Sequence, residues 1–115
     1  MKPEIKKKWL KALTGGEYEQ AKGRLRRGDA FCCLGVLCDL YVKEGMGRWK
    51  REILHSDYIL PGDVVTWAGL QDCDPDLKEL LPSKKNAGEE AGTLAGMNDE
   101  GYSFKEIAKV IRKQL

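Results

Sequence analysis

Apolar residues recur at helical spacing at both ends of the chain. Near the N-terminus they alternate with lysines after a proline that suits a first helical turn: Ile5, Trp9, Ala12 and Leu13. This spacing predicts a helix over residues 3–14, which the following glycines end. Near the C-terminus, Ser103 and Glu106 have the spacing of a capping box and precede an apolar stripe that reaches Leu115. A second amphipathic helix is therefore predicted there.

The centre of the chain carries a nearly continuous apolar run over residues 31–42, interrupted only by Asp39. Asp29 is expected to cap the start of this element and Gly45 to follow its end. A helix that is apolar on all sides belongs at the middle of a domain. We therefore predict a buried helix over residues 30–43. A buried strand is the alternative, although about 12 residues is long for one.

The remaining segments are shorter and more polar. Residues 17–28 read as an irregular strand that ends in a turn, and residues 48–60 as a short hairpin. Pro61 starts a short helix that Gly69 ends, Asp74 caps a one-turn helix before Pro82, and residues 83–92 form a loop. A short helix or turn follows at 93–97. We predict a single α+β domain over residues 1–115, with a central cysteine-rich helix packed by the N- and C-terminal helices and a small antiparallel sheet.

Composition agrees with one packed core and changes little else. The chain has 115 residues, of which 42% are hydrophobic and 33% charged, so disorder is not expected. No apolar stretch approaches the roughly 18–20 residues that a membrane helix needs, and the lysine-rich start has no signal-peptide pattern.

The four cysteines do not have the spacing of a metal site. Cys32, Cys33 and Cys38 lie in the apolar run, Cys73 lies outside it, and the only histidine, His55, is distant in sequence. We expect reduced, buried thiols and hence a cytoplasmic protein. An acidic loop at residues 72–76 lacks the glycine and glutamate of a calcium loop and is assigned to loop capping. No metal and no cofactor are predicted.

Enzymatic activity is not predicted either. The motifs of serine hydrolases, phosphate-binding loops and zinc proteases are absent. Cys73 is flanked by Asp72 and Asp74, whose negative charges disfavour a reactive thiolate.

The charge pattern points to a binding surface near the N-terminus. The first 28 residues hold nine basic and three acidic side chains, whereas the remainder holds 11 basic and 15 acidic ones. Arginine forks suit phosphate or carboxylate groups. We predict that the ligand-binding residues are Tyr18, Gln20, Arg24, Arg26 and Arg27, with Asn98 and Asp99 joining them. The alternatives are a solvated edge strand for this stretch and a solvated helix face for the lysines.

Three motifs carry a resemblance that covers almost the whole chain: Trp9-x-x-Ala-Leu13, the run FCCLGVLCDL at residues 31–40, and Asn98-Asp99-x-Gly101-x-Ser103-Phe104. With them the chain resembles a family of small proteins of tailed bacteriophages and prophages. The resemblance implies synthesis in the cytoplasm of an infected bacterial host, and it implies no particular activity.

Two classes of function follow as expectations. The first is a small non-enzymatic binding protein that acts on a host molecule, either by inhibiting a host defence protein or by sequestering a nucleotide or other phosphate-bearing ligand. The alternative is a nucleic-acid-binding accessory protein that uses the basic N-terminal 28 residues.

Overall fold

Five helices and two small sheets build the molecule, and the computed structural model describes every residue from 1 to 115. The helices are α1 Pro3–Thr14, α2 Cys33–Lys43, α3 Gly62–Ala68, α4 Leu94–Asp99 and α5 Phe104–Gln114. The strands are β1 Glu19–Gln20, β2 Arg26–Arg27, β3 Ala30–Phe31, β4 Asp76–Pro82 and β5 Glu90–Thr93. The predicted α+β class is confirmed. No helix is both long enough and apolar enough to cross a membrane.

Helix α2 is the predicted central helix, and its residues from Cys33 to Cys38 are all buried. Its start differs from the prediction. The Cys32 thiol, not Asp29, caps the helix by accepting a hydrogen bond from the Gly35 N–H at 3.3 Å. Residues 30–31 form β3, which pairs with strands on both sides, so the helix begins only after them. Gly45 follows the helix end with a positive φ of 77°, as predicted.

A three-stranded sheet precedes α2 and has β3 in its middle. Strand β1 pairs with β3 in parallel, and β2 pairs with β3 in antiparallel orientation. The polar stretch over residues 17–28 is therefore extended, as predicted, but its sheet is mixed. Helix α1 packs on α2 and α5, and α5 packs on α1 and α4. One hydrophobic cluster draws residues from all five helices.

The hairpin predicted over residues 48–60 is not formed, and that prediction was wrong. Residues 44–61, called here the connecting segment, contain turns and one isolated bridge between Trp49 and Ile53. Their backbone pairs elsewhere: the Leu25 N–H donates to the Asp57 carbonyl at 2.6 Å, and the Arg26 N–H donates to the His55 carbonyl at 3.1 Å. Because these carbonyls are used by a distant part of the chain, the segment does not pair with itself.

The one-turn helix predicted after Asp74 was also wrong. This stretch is β4, which pairs with β5 across a turn, so the predicted loop at 83–92 gives its last residues to a strand. Ala91 of β5 is buried and lies opposite Leu81 of β4. Asp74 accepts a hydrogen bond from the Ala95 N–H at 3.0 Å, near the start of α4. The carboxylate that was expected to start its own helix thus supports a different one.

Candidate binding surface

Three of the seven predicted site residues meet in one hydrogen-bond network inside the fold. The Gln20 amide donates to Asn98 Oδ1 at 2.9 Å and to the Tyr102 carbonyl at 2.8 Å. Asn98 is fully buried, and its Oδ1 also accepts from the Cys33 N–H at 3.1 Å. Asp99 accepts from the Gly23 N–H at 2.9 Å. The network ties β1 to the first residue of α2 and to the end of α4.

Tyr18 and Arg26 belong to a second group, on the other side of β3. The Tyr18 ring meets Phe31 edge-on, with 5.2 Å between ring centroids. The Arg26 guanidinium lies 5.0 Å from the centre of the Phe31 ring and 5.2 Å from that of Trp49, which is the geometry of cation–π contacts. The His55 ring packs edge-on against Trp49 at 5.2 Å. These five residues are called the aromatic cluster.

Asp39 anchors this cluster from helix α2. Its Oδ2 accepts a hydrogen bond from the Tyr18 hydroxyl at 2.7 Å, and its Oδ1 accepts one from the Trp49 indole at 2.9 Å. Lys43 Nζ lies 3.6 Å from Asp39 Oδ2. Burial, followed by the hydrogen bond to Asp39, raises the pKa of the Tyr18 phenol. The phenol therefore stays protonated at neutral pH and remains a donor to Asp39.

His55 is the least satisfied member of the cluster. Its Nε2 atom is buried and has no hydrogen-bond partner. Burial lowers the pKa of the imidazole, and the positive charges of Arg26 and Lys50 lower it further. The ring is therefore neutral at pH 7, where it packs as an aromatic group against Trp49.

The other two predicted arginines lie apart from the cluster. Arg27 Nε donates to the Lys22 carbonyl at 2.7 Å, so its guanidinium braces its own turn. Arg24 is exposed, and its side chain makes no hydrogen bond or ion pair. The predicted residues thus fall into three places rather than one. Sequence reasoning missed Trp49, His55 and Asp39, because nothing local to them marks their meeting with Tyr18 and Arg26.

Exposed apolar side chains are concentrated on the connecting segment. Large hydrophobic residues that remain exposed are Met46 (53%), Leu54 (49%), Tyr58 (68%), Ile59 (48%) and Leu80 (64%). Four of these five lie within residues 46–59, and only Leu80 lies elsewhere, on β4. The aromatic cluster holds this same segment through Trp49 and His55. The segment is therefore fastened to the fold while it presents apolar groups to solvent.

The cysteines take no part in this surface. Cys32, Cys33 and Cys38 are buried and unbonded, and Cys73 is exposed. Burial raises the pKa of Cys32 to about 11 and that of Cys33 well above its ordinary value. No group of three or more His, Cys, Asp or Glu side chains is placed to hold a metal ion.

Fold and surface together define a small α+β protein whose apolar exposure is confined to one fastened segment. The chain belongs to the family described as Domain of unknown function (DUF8296), whose model matches residues 1–115. No curated protein and no solved structure shows a significant match to the chain.

Proposed function

We propose that this protein is a non-enzymatic binding protein that engages a protein partner through its connecting segment. The observation that carries the proposal is the placement of four of the five exposed large hydrophobic residues within residues 46–59. Methionine and aromatic residues are enriched in protein interfaces, and apolar groups form their fully buried centres. Because the cluster already orders this segment, binding costs less conformational entropy there.

The charges beside the apolar residues indicate the chemistry of the partner. Arg48, Lys50 and Arg51 are exposed on the segment. The nearby carboxylates are partly occupied, because Glu52 accepts from the Arg48 N–H at 2.7 Å and Glu44 pairs with Lys8. We infer a partner surface that is apolar at its centre and acidic at its rim, since complementary charge steers association.

A phosphate-bearing small ligand has weaker support in this structure. Such a ligand needs several charged donors that converge on it. Arg26 is held between Phe31 and Trp49, and Arg27 bonds to a backbone carbonyl. Only Arg24 of the three extends without a partner. This arrangement favours the protein form of the proposal over nucleotide sequestration.

The host setting rests on the bacteriophage resemblance, and a reducing cytoplasm suits the three buried free thiols. On this basis the proposed partner is a bacterial host protein, such as a defence protein. The absence of catalysis is supported by the thiols, whose pKa values are raised, and by His55, which has no hydrogen-bonded partner to activate it.

The decisive experiment compares two apolar-to-serine variants. Leu54→Ser/Ile59→Ser removes exposed apolar groups from the connecting segment, and Leu80→Ser removes one from β4 as a matched control. All are surface changes that should alter the free energy of unfolding by no more than about 0.5 kcal/mol per site. Each protein is used to capture partners from nuclease-treated bacterial lysate, and the captured protein is then purified and titrated by calorimetry.

We expect a 1:1 complex whose dissociation constant rises at least about tenfold in the double variant, a loss of roughly 1.4 kcal/mol or more. The control should bind like the wild type. Equal affinity for the wild type and the double variant contradicts the proposal, as does an equal loss in Leu80→Ser. A captured nucleotide with no protein partner contradicts it as well.

A further inference from the structure

A basic groove lies between α1 and α5, away from the connecting segment. Its lining includes Lys6, Lys7, Leu10, Lys11 and Thr14 of α1 together with Arg112 of α5, and no acidic residue lines it. Lys6 Nζ donates to the Arg112 carbonyl at 3.1 Å, so the two helices meet at this point. Four cations thus lie along one surface, and they come from opposite ends of the chain.

The amphipathic pattern of α1 explains why its lysines line the groove. The helix buries Ile5, Trp9 and Leu13 against the core. Positions 7, 11 and 14 follow one another at intervals of four and three, so they share the opposite face. Leu10, which packs partly against the core, lies between them and provides an apolar floor.

Acidic groups do little to neutralise the groove. Helices α1 and α5 each carry four basic residues and one glutamate. The glutamate of α5, Glu106, is already engaged by the Ser103 N–H and by Lys84. The glutamate of α1, Glu4, lies in the first turn and outside the groove lining.

We propose that the basic groove binds the phosphate backbone of nucleic acid without reading base sequence. Lysine side chains bind phosphates as point charges, whereas base recognition uses aromatic stacking or the forked contacts of arginine and side-chain amides. The groove has no aromatic and no amide side chain in its lining, and its Thr14 hydroxyl is used within α1 by the Leu10 carbonyl at 2.8 Å. This site is separate from the protein-binding surface proposed above.

The site also differs from a general basic N-terminus. Arg26 and Arg27 belong to the first 28 residues but are tied to the fold, whereas Arg112 lies near the C-terminus and lines the groove. The charge that matters is therefore assembled by helix packing, and a test must separate the groove from the basic stretch as a whole.

Salt dependence gives the quantitative expectation. Each neutralised phosphate of duplex DNA changes the slope of log K against log salt by about −0.9. Four groove cations predict a slope of about −3.6, so affinity falls roughly 100-fold between about 50 mM and about 200 mM salt. Two unrelated duplex sequences should bind with the same affinity.

The experiment uses fluorescence anisotropy of labelled duplexes of about 20 base pairs with the full chain. Lys7→Gln/Lys11→Gln should reduce the magnitude of the salt slope by about two and weaken binding at least about tenfold at low salt. The matched control, Lys22→Gln/Lys85→Gln, removes the same charge from exposed lysines outside the groove and should keep the wild-type slope. Thermal melting of each variant verifies that it is folded.

Several results would overturn the proposal. These are no duplex binding at low salt, an equal loss in the control, and a strong preference for one duplex sequence. Binding to inorganic polyphosphate or to phosphatidylglycerol vesicles without binding to duplex would assign the groove to another anion. The Leu54→Ser/Ile59→Ser variant should retain duplex binding, so the failure of either proposal is recognisable without the other.

Discussion

Gly35 shows how one residue sets the distance between two parts of the core. A Cβ atom at this position would lie 1.8 Å from the Leu25 carbonyl oxygen. The same oxygen accepts a hydrogen bond from the Cys32 N–H at 3.2 Å, just before α2. The missing side chain therefore lets the central helix lie directly against the backbone of residue 25.

We predict that Gly35→Ala lowers the free energy of unfolding by about 2–3 kcal/mol or more, because backbone rather than a flexible side chain must move. Urea denaturation measures the change. Gly62→Ala is the control, since no atom lies within 4 Å of a Cβ at this first position of α3. It should be neutral or slightly stabilising. Equal effects of the two substitutions would mean that the close approach at Gly35 is relieved at no cost.

Among the elements, the connecting segment is unusual because side chains rather than regular secondary structure hold it. Trp49 and His55 pack into the aromatic cluster, and the backbone at 55 and 57 pairs with residues 25 and 26. The charged groups nearest the imidazole are Arg26 and Lys50, both positive, and they act with burial to lower its pKa. The attachment of this segment is therefore sensitive to protonation.

We predict that acidification weakens the fold through His55. Its pKa in the folded state lies below the unfolded value of about 6.5, so the unfolded state binds the proton first as pH falls. The contribution of His55 to stability is thus full above about pH 7 and declines as pH falls below about 6.5. Melting temperatures of the wild type and of His55→Gln, recorded from about pH 7.5 to about pH 5.5, measure this contribution.

The wild type should lose more stability across this range than His55→Gln does, and hydrogen exchange should rise first within residues 46–59. Asp74 has a raised pKa, and its protonation favours the folded state, so it acts in the opposite direction at lower pH. Parallel pH profiles of the two proteins would show that His55 does not control this attachment.

At the scale of the whole molecule, buried groups from distant parts of the chain depend on one another. Asn98 bonds to Gln20, to the Cys33 N–H and to the Ala21 carbonyl, and so joins three elements. One hydrophobic cluster includes residues from all five helices. The interior thiols should therefore become accessible only when the whole structure opens.

We predict that iodoacetamide modifies one cysteine in the native protein and all four in denaturant. Cys73 is exposed, whereas Cys32, Cys33 and Cys38 are buried. Burial also raises the pKa of Cys32 to about 11, which leaves little thiolate at neutral pH. Intact-mass spectrometry counts the labels. Native labelling of a second cysteine at the rate of Cys73 would show that the core opens locally.

Local patterns in the sequence determined the elements whose signals lie within a few residues of each other. The apolar spacing of α1, the all-round apolar character of α2 and the capping box of α5 all predict the observed helices. Each depends on contacts within a turn or on the composition of one short run, so no distant partner is needed. The α+β class followed from the same patterns.

Tertiary structure alone decided what pairs with what. The stretch over 76–82 is a strand because β5 lies beside it, and the connecting segment is irregular because residues 25 and 26 take its carbonyls. Gln20 turns towards Asn98, 78 residues away, while Arg26 lies between two aromatic rings. The basic groove likewise needs α1 beside α5. Such contacts join residues that are far apart in the chain, and their energies arise only when packing brings them together.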